Sequence, residues 1–292
     1  MKTCFVSIIG LPNSGKSTML NNILDYDLSI VSYKPQTTRD QINGIYSEED
    51  FQIVFVDTPG FQNNNSLFSK VLNKNSISSL DDIDLVLFLH PVNRKIDSTT
   101  TELAKKVLKT KNKIAILTKI DLEDNNEILA QKAQELKQLG FDLVLGFSEK
   151  YQVSKQDLLE EIKKYLYESE NYFDTEFLTD RPMRFLAKEI IRKHLLLNIK
   201  EEIPHQVAIV INDFIENYEE KEQIYITSTI YVAKKSHIPI VIGKNGAMLE
   251  KIGKASRLEL EDKLGQKVIL KNKVKESQNW LKDTKLIKKM GY

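Results

Sequence analysis

Short apolar runs alternate with helical patterns along the first 165 residues. Runs rich in β-branched and aromatic residues predict strands at 5–9, 51–56, 85–89, 113–117 and 143–147. Helical spacing of apolar positions covers 16–24, 100–109, 126–139 and 155–167, and the stretch that ends near residue 80 is rich in loop. Strands that lack clean alternation are covered on both faces, so this part of the chain predicts an α/β domain with a mostly parallel sheet and helices on both faces.

The second part of the chain has a different pattern. A polar and aromatic segment at 168–181 precedes Pro182 and predicts a linker. The following residues predict a helix at 184–199, strands at 206–215 and 223–232, an apolar run at 238–242 that we interpret as a strand, a helix at 247–264, a strand at 267–274 and a terminal helix at 279–290. We therefore expect a first domain at 1–170, a linker and connecting helix at 171–200, and a smaller α+β domain at 201–292.

One loop carries the signature of a phosphate site. Residues 10–17, GLPNSGKS, fit G-x-x-x-x-G-K-[ST] and lie between a predicted strand and a predicted helix. Gly10 and Gly15 allow the backbone to turn its N–H groups toward phosphate oxygens, and the helix N-terminus adds its dipole. Lys16 would add charge at the β- and γ-phosphates, and the Ser17 hydroxyl would ligate Mg²⁺. The alternative, an ordinary turn of small residues, leaves the lysine unexplained.

Three further segments favour a guanine nucleotide over ATP. Asp57, in DTPG, ends a strand where it can hold a magnesium-bound water, and the Gly60 N–H can meet a γ-phosphate. Thr38, in QTTRD, can complete the magnesium shell only when that phosphate is present, as in a nucleotide-dependent switch. Asp121, in TKID, can accept hydrogen bonds from both N1–H and N2–H of guanine. Because adenine lacks this donor pair, Asp121 argues against an ATP-dependent enzyme.

The C-terminal part of the chain is basic. Residues 231–292 hold 15 Lys and Arg against 6 Asp and Glu, a net charge of +9, whereas the preceding 230 residues hold 27 against 35, a net charge of −8. This asymmetry favours a polyanionic partner, nucleic acid before an anionic membrane surface. A G-x-x-G sequence at 243–246 fits the loop by which KH domains clamp RNA backbone. The predicted RNA-binding residues are Ile242, Gly243, Lys244, Asn245, Gly246, Lys251, Lys254 and Arg257.

Composition restricts the cellular setting. The chain has one cysteine, Cys4, which cannot form an intramolecular disulfide and indicates a reducing cytoplasm. No apolar run approaches the roughly 18–20 residues of a membrane-spanning helix. We therefore expect a cytoplasmic protein, and the basic C-terminal part leaves room for peripheral contact with the cytoplasmic face of the membrane. In the C-terminal part, Trp280 is interpreted as a core anchor, with base stacking as the alternative.

The order of these motifs resembles a known family. GLPNSGKSTMLN, KPQTTRDQINGI, VDTPGF and TKID are similar to translation-factor-related GTPases, and the whole chain, including IPIVIGKNGAMLEKIGKASRLELEDKLGQ, resembles the Era GTPases of bacterial ribosome assembly. The resemblance implies a P-loop GTPase domain followed by a type II KH domain. It implies a monomer that hydrolyses GTP slowly, binds the 3′ region of 16S ribosomal RNA and assists 30S subunit assembly. It also implies that nucleotide state gates RNA binding and that the protein contacts the membrane peripherally.

The resemblance also carries site residues onto this chain. It implies Mg²⁺ at Ser17, Thr38 and Asp57, catalytic roles for Lys16, Thr38, Gly60 and Asn13, and K⁺ held near the phosphates by Asn13, for which a loop-capping amide is the alternative. The predicted nucleotide-binding residues are Gly10, Leu11, Pro12, Asn13, Ser14, Gly15, Lys16, Ser17, Thr18, Asp57, Thr58, Pro59, Gly60, Phe61, Thr118, Lys119, Ile120, Asp121, Ser148 and Glu149.

Three positions depart from the family pattern. Thr118 stands where the family usually has asparagine, which predicts weaker guanine affinity with base choice left to Asp121. Phe61 stands where Ras-like enzymes carry a water-orienting glutamine, and a phenyl ring cannot orient water by hydrogen bonding. Ser148-Glu149-Lys150 aligns with the fifth guanine-site element, which usually reads Ser-Ala. The alternative function is an RNA-binding assembly factor with a weakened or relic GTPase domain.

Overall fold

A computed structural model describes residues 1–31, 39–61, 66–78, 80, 83–199 and 203–292. The chain divides into two compact units: 1–65 with 69–180, and 66–68 with 181–292. In the described part of the chain no helix is both long and apolar enough to cross a bilayer.

The sheet of the first unit has seven strands. In chain order they are β1 (Lys2–Gly10), β2 (Ile42–Ser47), β3 (Phe51–Asp57), β4 (Leu85–Pro91), β5 (Lys113–Thr118), β6 (Val144–Phe147) and β7 (Tyr167–Glu168). The spatial order is β2-β3-β1-β4-β5-β6, with the short β7 antiparallel to β1. All neighbours on the main path are parallel except β2 and β3. The carboxyl ends of β1, β3 and β5 therefore meet at one edge, where parallel α/β sheets bind ligands.

Helices lie between these strands along the chain. They are α1 (Lys16–Leu24), α2 (Leu67–Ser78), α3 (Ser98–Val107), α4 (Asn126–Gln138) and α5 (Gln152–Lys163). Strands β3 and β4 are buried at every position, which is why their sequences lack alternation. Asp97 and Asn125 cap α3 and α4 by accepting hydrogen bonds from backbone N–H groups.

The segment predicted as a linker is part of the first unit. Gln52 exchanges two hydrogen bonds with the backbone of Phe173, at 3.0 and 3.1 Å. The Ile45 N–H donates to the Leu178 carbonyl at 2.9 Å, and Gly44 forms a bridge with residue 179. Residues 172–179 therefore line β2 and β3, and the units divide at 180 rather than at 170.

The second unit is a three-stranded sheet with helices against one face. Its elements are α6 (Met183–Asn198), β8 (Val207–Ile215), β9 (Gln223–Val232), α7 (Ile238–Ile242), α8 (Ala247–Leu264), β10 (Lys267–Glu276) and α9 (Thr284–Lys289). The order is β10-β9-β8, with β9 parallel to β10 and antiparallel to β8. Residues of α6, α7 and α8 share one apolar core with the strands.

The fold-class prediction is confirmed, and several local predictions are wrong. Strands β2 and β7 and helix α2 were missed. Residues 238–242 form a helix, α7, although their β-branched composition favoured a strand. Helix α6 contributes Ile191 and Leu195 to the core of the second unit, so it is not a separate connecting helix.

Candidate functional site

The predicted phosphate loop connects β1, in the middle of the sheet, to α1. Lys16 is buried, and its Nζ donates to the Gly10 and Leu11 carbonyl oxygens at 3.2 and 3.1 Å. Burial lowers the pKa of Lys16 to about 8, although nearby Asp57 favours the charged form. The ammonium group is thus held inside the loop, where a phosphate oxygen would be a better partner than two carbonyls.

A pair of oxygen ligands lies beside this lysine. The Ser17 hydroxyl donates to Asp57 Oδ2 at 3.0 Å, and Asp57 is completely buried at the end of β3. Burial raises the pKa of Asp57, while Lys16 and the Ser17 hydroxyl oppose that shift. Asp57 Oδ1 is buried and makes no hydrogen bond with any described residue. A hydroxyl and a carboxylate with an unsatisfied oxygen are donors that fit Mg²⁺.

Gly60 is in close contact with the phosphate loop. A Cβ atom at this position would lie 2.9 Å from both the backbone N and the Cα of Pro12, so no larger residue fits. The Phe61 N–H donates to the Gly10 carbonyl at 3.2 Å, and the Thr58 hydroxyl donates to the Ile8 carbonyl at 2.8 Å. These contacts hold the DTPG segment against β1 and its loop.

The Phe61 side chain belongs to the apolar core. It is 4% exposed and packs in a cluster that includes Leu11 and Leu103. Lys106 Nζ lies 4.2 Å from the ring centroid, a cation–π contact. A residue in this position does not point to solvent, so the ring both lacks hydrogen-bonding atoms and faces away from water.

The TK pair at the end of β5 supports the phosphate loop from beneath. Buried Thr118 donates its hydroxyl to the Ser14 carbonyl at 2.8 Å. Lys119 Nζ donates to the Asn13 carbonyl at 3.0 Å. Two consecutive side chains thus fix two consecutive loop carbonyls.

Asp121 is held by two donors from the fifth predicted element. The Ser148 hydroxyl donates to Oδ1 at 2.7 Å, and Lys150 Nζ lies 2.7 Å from Oδ2. The Lys150 hydrogen bond is the main cause that lowers the pKa of Asp121, and Ser148 adds to it. Ser148 is positioned in turn by Ser154, whose hydroxyl donates to the Ser148 carbonyl at 2.8 Å. Asp121 is therefore an ionised acceptor at the end of the sheet.

Thr38, with residues 36 and 37, lies outside the described residues. Glu149 is exposed and contributes its carbonyl to Asn22 Nδ2 at 3.5 Å. Lys150, which the sequence placed in the fifth element, was not among the predicted nucleotide-binding residues.

The G-x-x-G loop of the second unit joins two helices, α7 and α8. Gly243 has φ of +76°, and a Cβ there would lie 2.7 Å from the Met248 Cβ. Both the backbone conformation and the lack of space therefore require glycine. The Lys244 and Asn245 side chains are exposed at the tip of the loop. Ile242 ends α7, and Gly246 precedes α8 with φ of +83°.

The basic residues predicted on α8 differ in their surroundings. Lys251 and Lys254 are exposed, and neither pairs with a carboxylate among the described residues. Arg257 is partly exposed and forms an ion pair with Glu261, four residues further along the same helix, at 3.1 Å. Trp280 is completely buried, and its Nε1–H donates to the Gln206 carbonyl at 3.1 Å, as expected of a core anchor.

Comparison with known proteins decides the family. A family model described as 50S ribosome-binding GTPase matches residues 5–119, and a KH domain model matches residues 202–281. GTPase Era of Mycoplasmopsis pulmonis is 47% identical over 290 residues, which cover 99% of each chain. The chain belongs to the GTPase Era family. GTPase Era of Mycoplasmopsis agalactiae is 44% identical over the full length of both chains.

Solved Era structures agree with this assignment over the whole chain. One holds Era with MgGDPNP and nucleotides 1506–1542 of 16S ribosomal RNA; it is 31% identical, has a TM-score of 0.95, and the match covers 100% of this chain and 99% of that one. A variant of Aquifex aeolicus Era bound to GDP·AlF4⁻ has a TM-score of 0.94, also at 31% identity and the same coverage. This Era-family chain therefore consists of a P-loop GTPase domain followed by a KH domain.

Proposed function

We propose that this protein binds and hydrolyses GTP, and that its KH domain binds the 3′ region of 16S ribosomal RNA to assist assembly of the 30S subunit. The observation that carries the proposal is the cluster of three side chains at the phosphate loop. Lys16 Nζ bonds to a loop carbonyl, and the Ser17 hydroxyl beside it donates to Asp57. The Era relative solved with MgGDPNP and a 16S fragment supports the same pair of ligands.

The nucleotide-binding roles follow from the charges and donors of the site. Lys16 would leave the Gly10 and Leu11 carbonyls and pair with the β- and γ-phosphates. Asp121 would accept from N1–H and N2–H of guanine, with Ser148 fixing its orientation. The Gly60 N–H would meet the γ-phosphate, which only a triphosphate provides.

Ser17 and Asp57, with Thr38, would hold Mg²⁺. When bound, Mg²⁺ neutralises charge on the β- and γ-phosphates. Asn13, exposed at φ of +62°, is our candidate for holding K⁺ beside the same phosphates. Because Phe61 cannot orient water, we propose slow intrinsic hydrolysis that a partner accelerates.

The RNA-binding roles belong to the loop at 243–246. Its glycines allow the phosphate backbone to approach closely, and exposed Lys244 supplies charge. Lys251 and Lys254 on α8 would add phosphate contacts, and Arg257, which pairs with Glu261, would add a third. We propose further that nucleotide state gates RNA binding, and that the protein is a cytoplasmic monomer with peripheral membrane contact.

One alternative rests on two specific residues. Thr118 and Phe61 depart from the family pattern, as expected of an RNA-binding assembly factor whose GTPase domain has weakened. Lys16, Ser17 and Asp57 are all in place, which favours a working site. GTP hydrolysis faster than that of a Lys16→Ala variant would exclude a relic GTPase domain.

Lys244→Asp tests the RNA-binding half of the proposal. The change places a negative charge on the exposed loop without disturbing its glycines, so affinity for nucleotides 1506–1542 should fall while GTP affinity stays within a few-fold. Lys289→Asp, an equal charge change on exposed α9, is the control. Unchanged RNA affinity in Lys244→Asp would refute the assignment of the loop, and a parallel loss of GTP binding would refute independent sites.

A further inference from the structure

Strand β10, at the edge of the KH sheet, has apolar side chains on one face and lysines on the other. Val268, Leu270 and Val274 face the apolar core that α7 and α8 cover. Because side chains alternate along a strand, the odd-numbered positions lie on the opposite face of the sheet. That face carries four exposed lysines: Lys267, Lys271, Lys273 and Lys275.

The lysines of this row keep their charge available. Among the described residues, none of the four pairs with a carboxylate. Across the sheet on the same face, Asp213 of β8 accepts a hydrogen bond from the Thr227 hydroxyl, and Thr227 is in register with Lys271. The four ammonium groups are therefore available to an anionic ligand.

Aromatic side chains of β9 lie beside the lysines. Tyr225 is in register with Ile269, and Tyr231 is in register with Lys275. Lys271 Nζ lies 5.2 Å from the Tyr225 ring centroid, and the Tyr218 and Tyr225 rings stack at 4.5 Å and 18°. The row thus combines cations with aromatic rings, the two components that bind single-stranded nucleic acid.

We propose that this face is a second RNA-binding surface, separate from the G-x-x-G loop, which we call the β10 strip. It comprises Lys267, Lys271, Lys273, Lys275, Tyr225 and Tyr231. The inference rests on the proposed function, because the strip would bind a further part of the same RNA. A G-x-x-G loop clamps about four nucleotides, so a longer ligand such as nucleotides 1506–1542 requires further protein surface.

The arrangement of charge favours RNA as the occupant. Alternate lysines of one strand are spaced at about 6–7 Å along a line, which suits the phosphates of an extended chain. An anionic membrane surface attracts lysines whatever their spacing, so it does not account for this regular array. Lysines on an edge strand also discourage pairing with another sheet. A charge of either sign serves that role, which does not require aromatic neighbours.

The test replaces Lys271, Lys273 and Lys275 by Glu together, which keeps an edge charge and reverses its sign. Affinity for RNA 1506–1542 should fall at least roughly tenfold at low salt, and the slope of log K against log salt should flatten by about 2, since each single-strand contact contributes about 0.7. Binding of an RNA of about four nucleotides, measured by competition, should stay unchanged.

The control makes the same charge change at Lys285, Lys288 and Lys289, exposed on α9 of the same unit. GTP affinity and thermal unfolding confirm that each variant is folded. Tyr231→Leu should weaken binding of the long RNA, and Tyr231→Phe should restore it.

Three outcomes would overturn the inference. One is long-RNA affinity and salt slope equal to those of the wild type, and another is an equal loss in the α9 control. The third is loss of binding to vesicles of anionic phospholipid with RNA affinity retained, which would assign the strip to a membrane. A wild-type protein that binds neither RNA would instead refute the proposed function, so the two failures are distinguishable.

Discussion

The Thr118 hydroxyl donates to the Ser14 carbonyl oxygen at 2.8 Å, in a buried position between β5 and the phosphate loop. A threonine hydroxyl has a single proton, whereas an asparagine amide has two. Thr118 therefore supports the loop but has no proton left to donate to a base. The position that usually holds asparagine has a structural role in this chain, and we propose that guanine recognition depends on Asp121.

We predict that the wild-type protein binds GTP and 7-deaza-GTP, in which C–H replaces N7, with affinities within about two-fold. Thr118→Asn supplies a second proton and should make GTP the tighter ligand by about ten-fold, the value of one hydrogen bond. Thr118→Val removes the loop contact and should weaken both nucleotides together. Fluorescence competition measures all three; a wild-type preference for GTP of ten-fold or more would contradict the prediction.

Asp121→Asn should weaken GTP by about 100-fold or more, because two hydrogen bonds to a charged acceptor are lost. An amide can donate to the 2-oxo group of xanthine, so the variant should bind XTP better than GTP. Asp124→Asn, an exposed position three residues further on, is the matched control. Retention of guanine preference in Asp121→Asn would show that another group reads the base.

Phe61→Gln should not accelerate GTP hydrolysis. The side chain points into the apolar core beneath Lys106, so a glutamine there would bury an amide and lower the free energy of unfolding by about 2–4 kcal/mol. Phe61→Leu, which stays apolar, should cost less. Single-turnover hydrolysis and thermal unfolding are the measurements, and a faster rate at unchanged stability would contradict the buried position.

Glu259 makes the stability of the KH unit depend on acid pH. Burial raises its pKa, but hydrogen bonds from His194 and Lys193 outweigh burial and lower the pKa from 4.5 to about 2. A depressed carboxyl pKa stabilises the folded state above pH 4.5, and this contribution, on the order of 2 kcal/mol, is lost as pH falls toward 2. Glu259→Gln should flatten that dependence.

The chain carries one tryptophan, Trp280, which is buried in the same unit and reports its unfolding by fluorescence. Denaturant titrations at several pH values between 5 and 2 therefore measure the effect directly. Asp283→Asn, at the N-cap of α9, serves as a carboxylate control. Identical pH dependence in the wild type and in Glu259→Gln would exclude the ion cluster as the cause.

Sequence patterns predicted most of the strands because a strand buried on both faces is a continuous apolar run. They predicted most of the helices because the apolar positions recur with helical spacing. Strand β2, INGIYS, was missed because its partly exposed, polar sequence resembles a loop. Helix α7 was misread because five residues, IPIVI, are too few to show a helical period and β-branched side chains favour strands.

The site residues were predictable where chemistry fixes spacing, as in the loop at 10–17. The contacts between distant segments were not. The bond from Thr118 to Ser14 does not follow from a motif, since it depends on which side chains tertiary packing brings together. The β10 lysines were counted as charge, and the tyrosines beside them emerged only from the strand register.

The reciprocal hydrogen bonds between Gln52 and Phe173 have a consequence for the durability of the protein. The same segment pairs with β2, the edge strand of the sheet, through the Ile45 N–H and the bridge at Gly44, so the chain covers part of its own sheet edge. A protease that cut this segment would therefore do more than disconnect two domains. It would bare hydrogen-bonding backbone that can recruit strands from other molecules, and a nicked preparation would aggregate before either domain had unfolded.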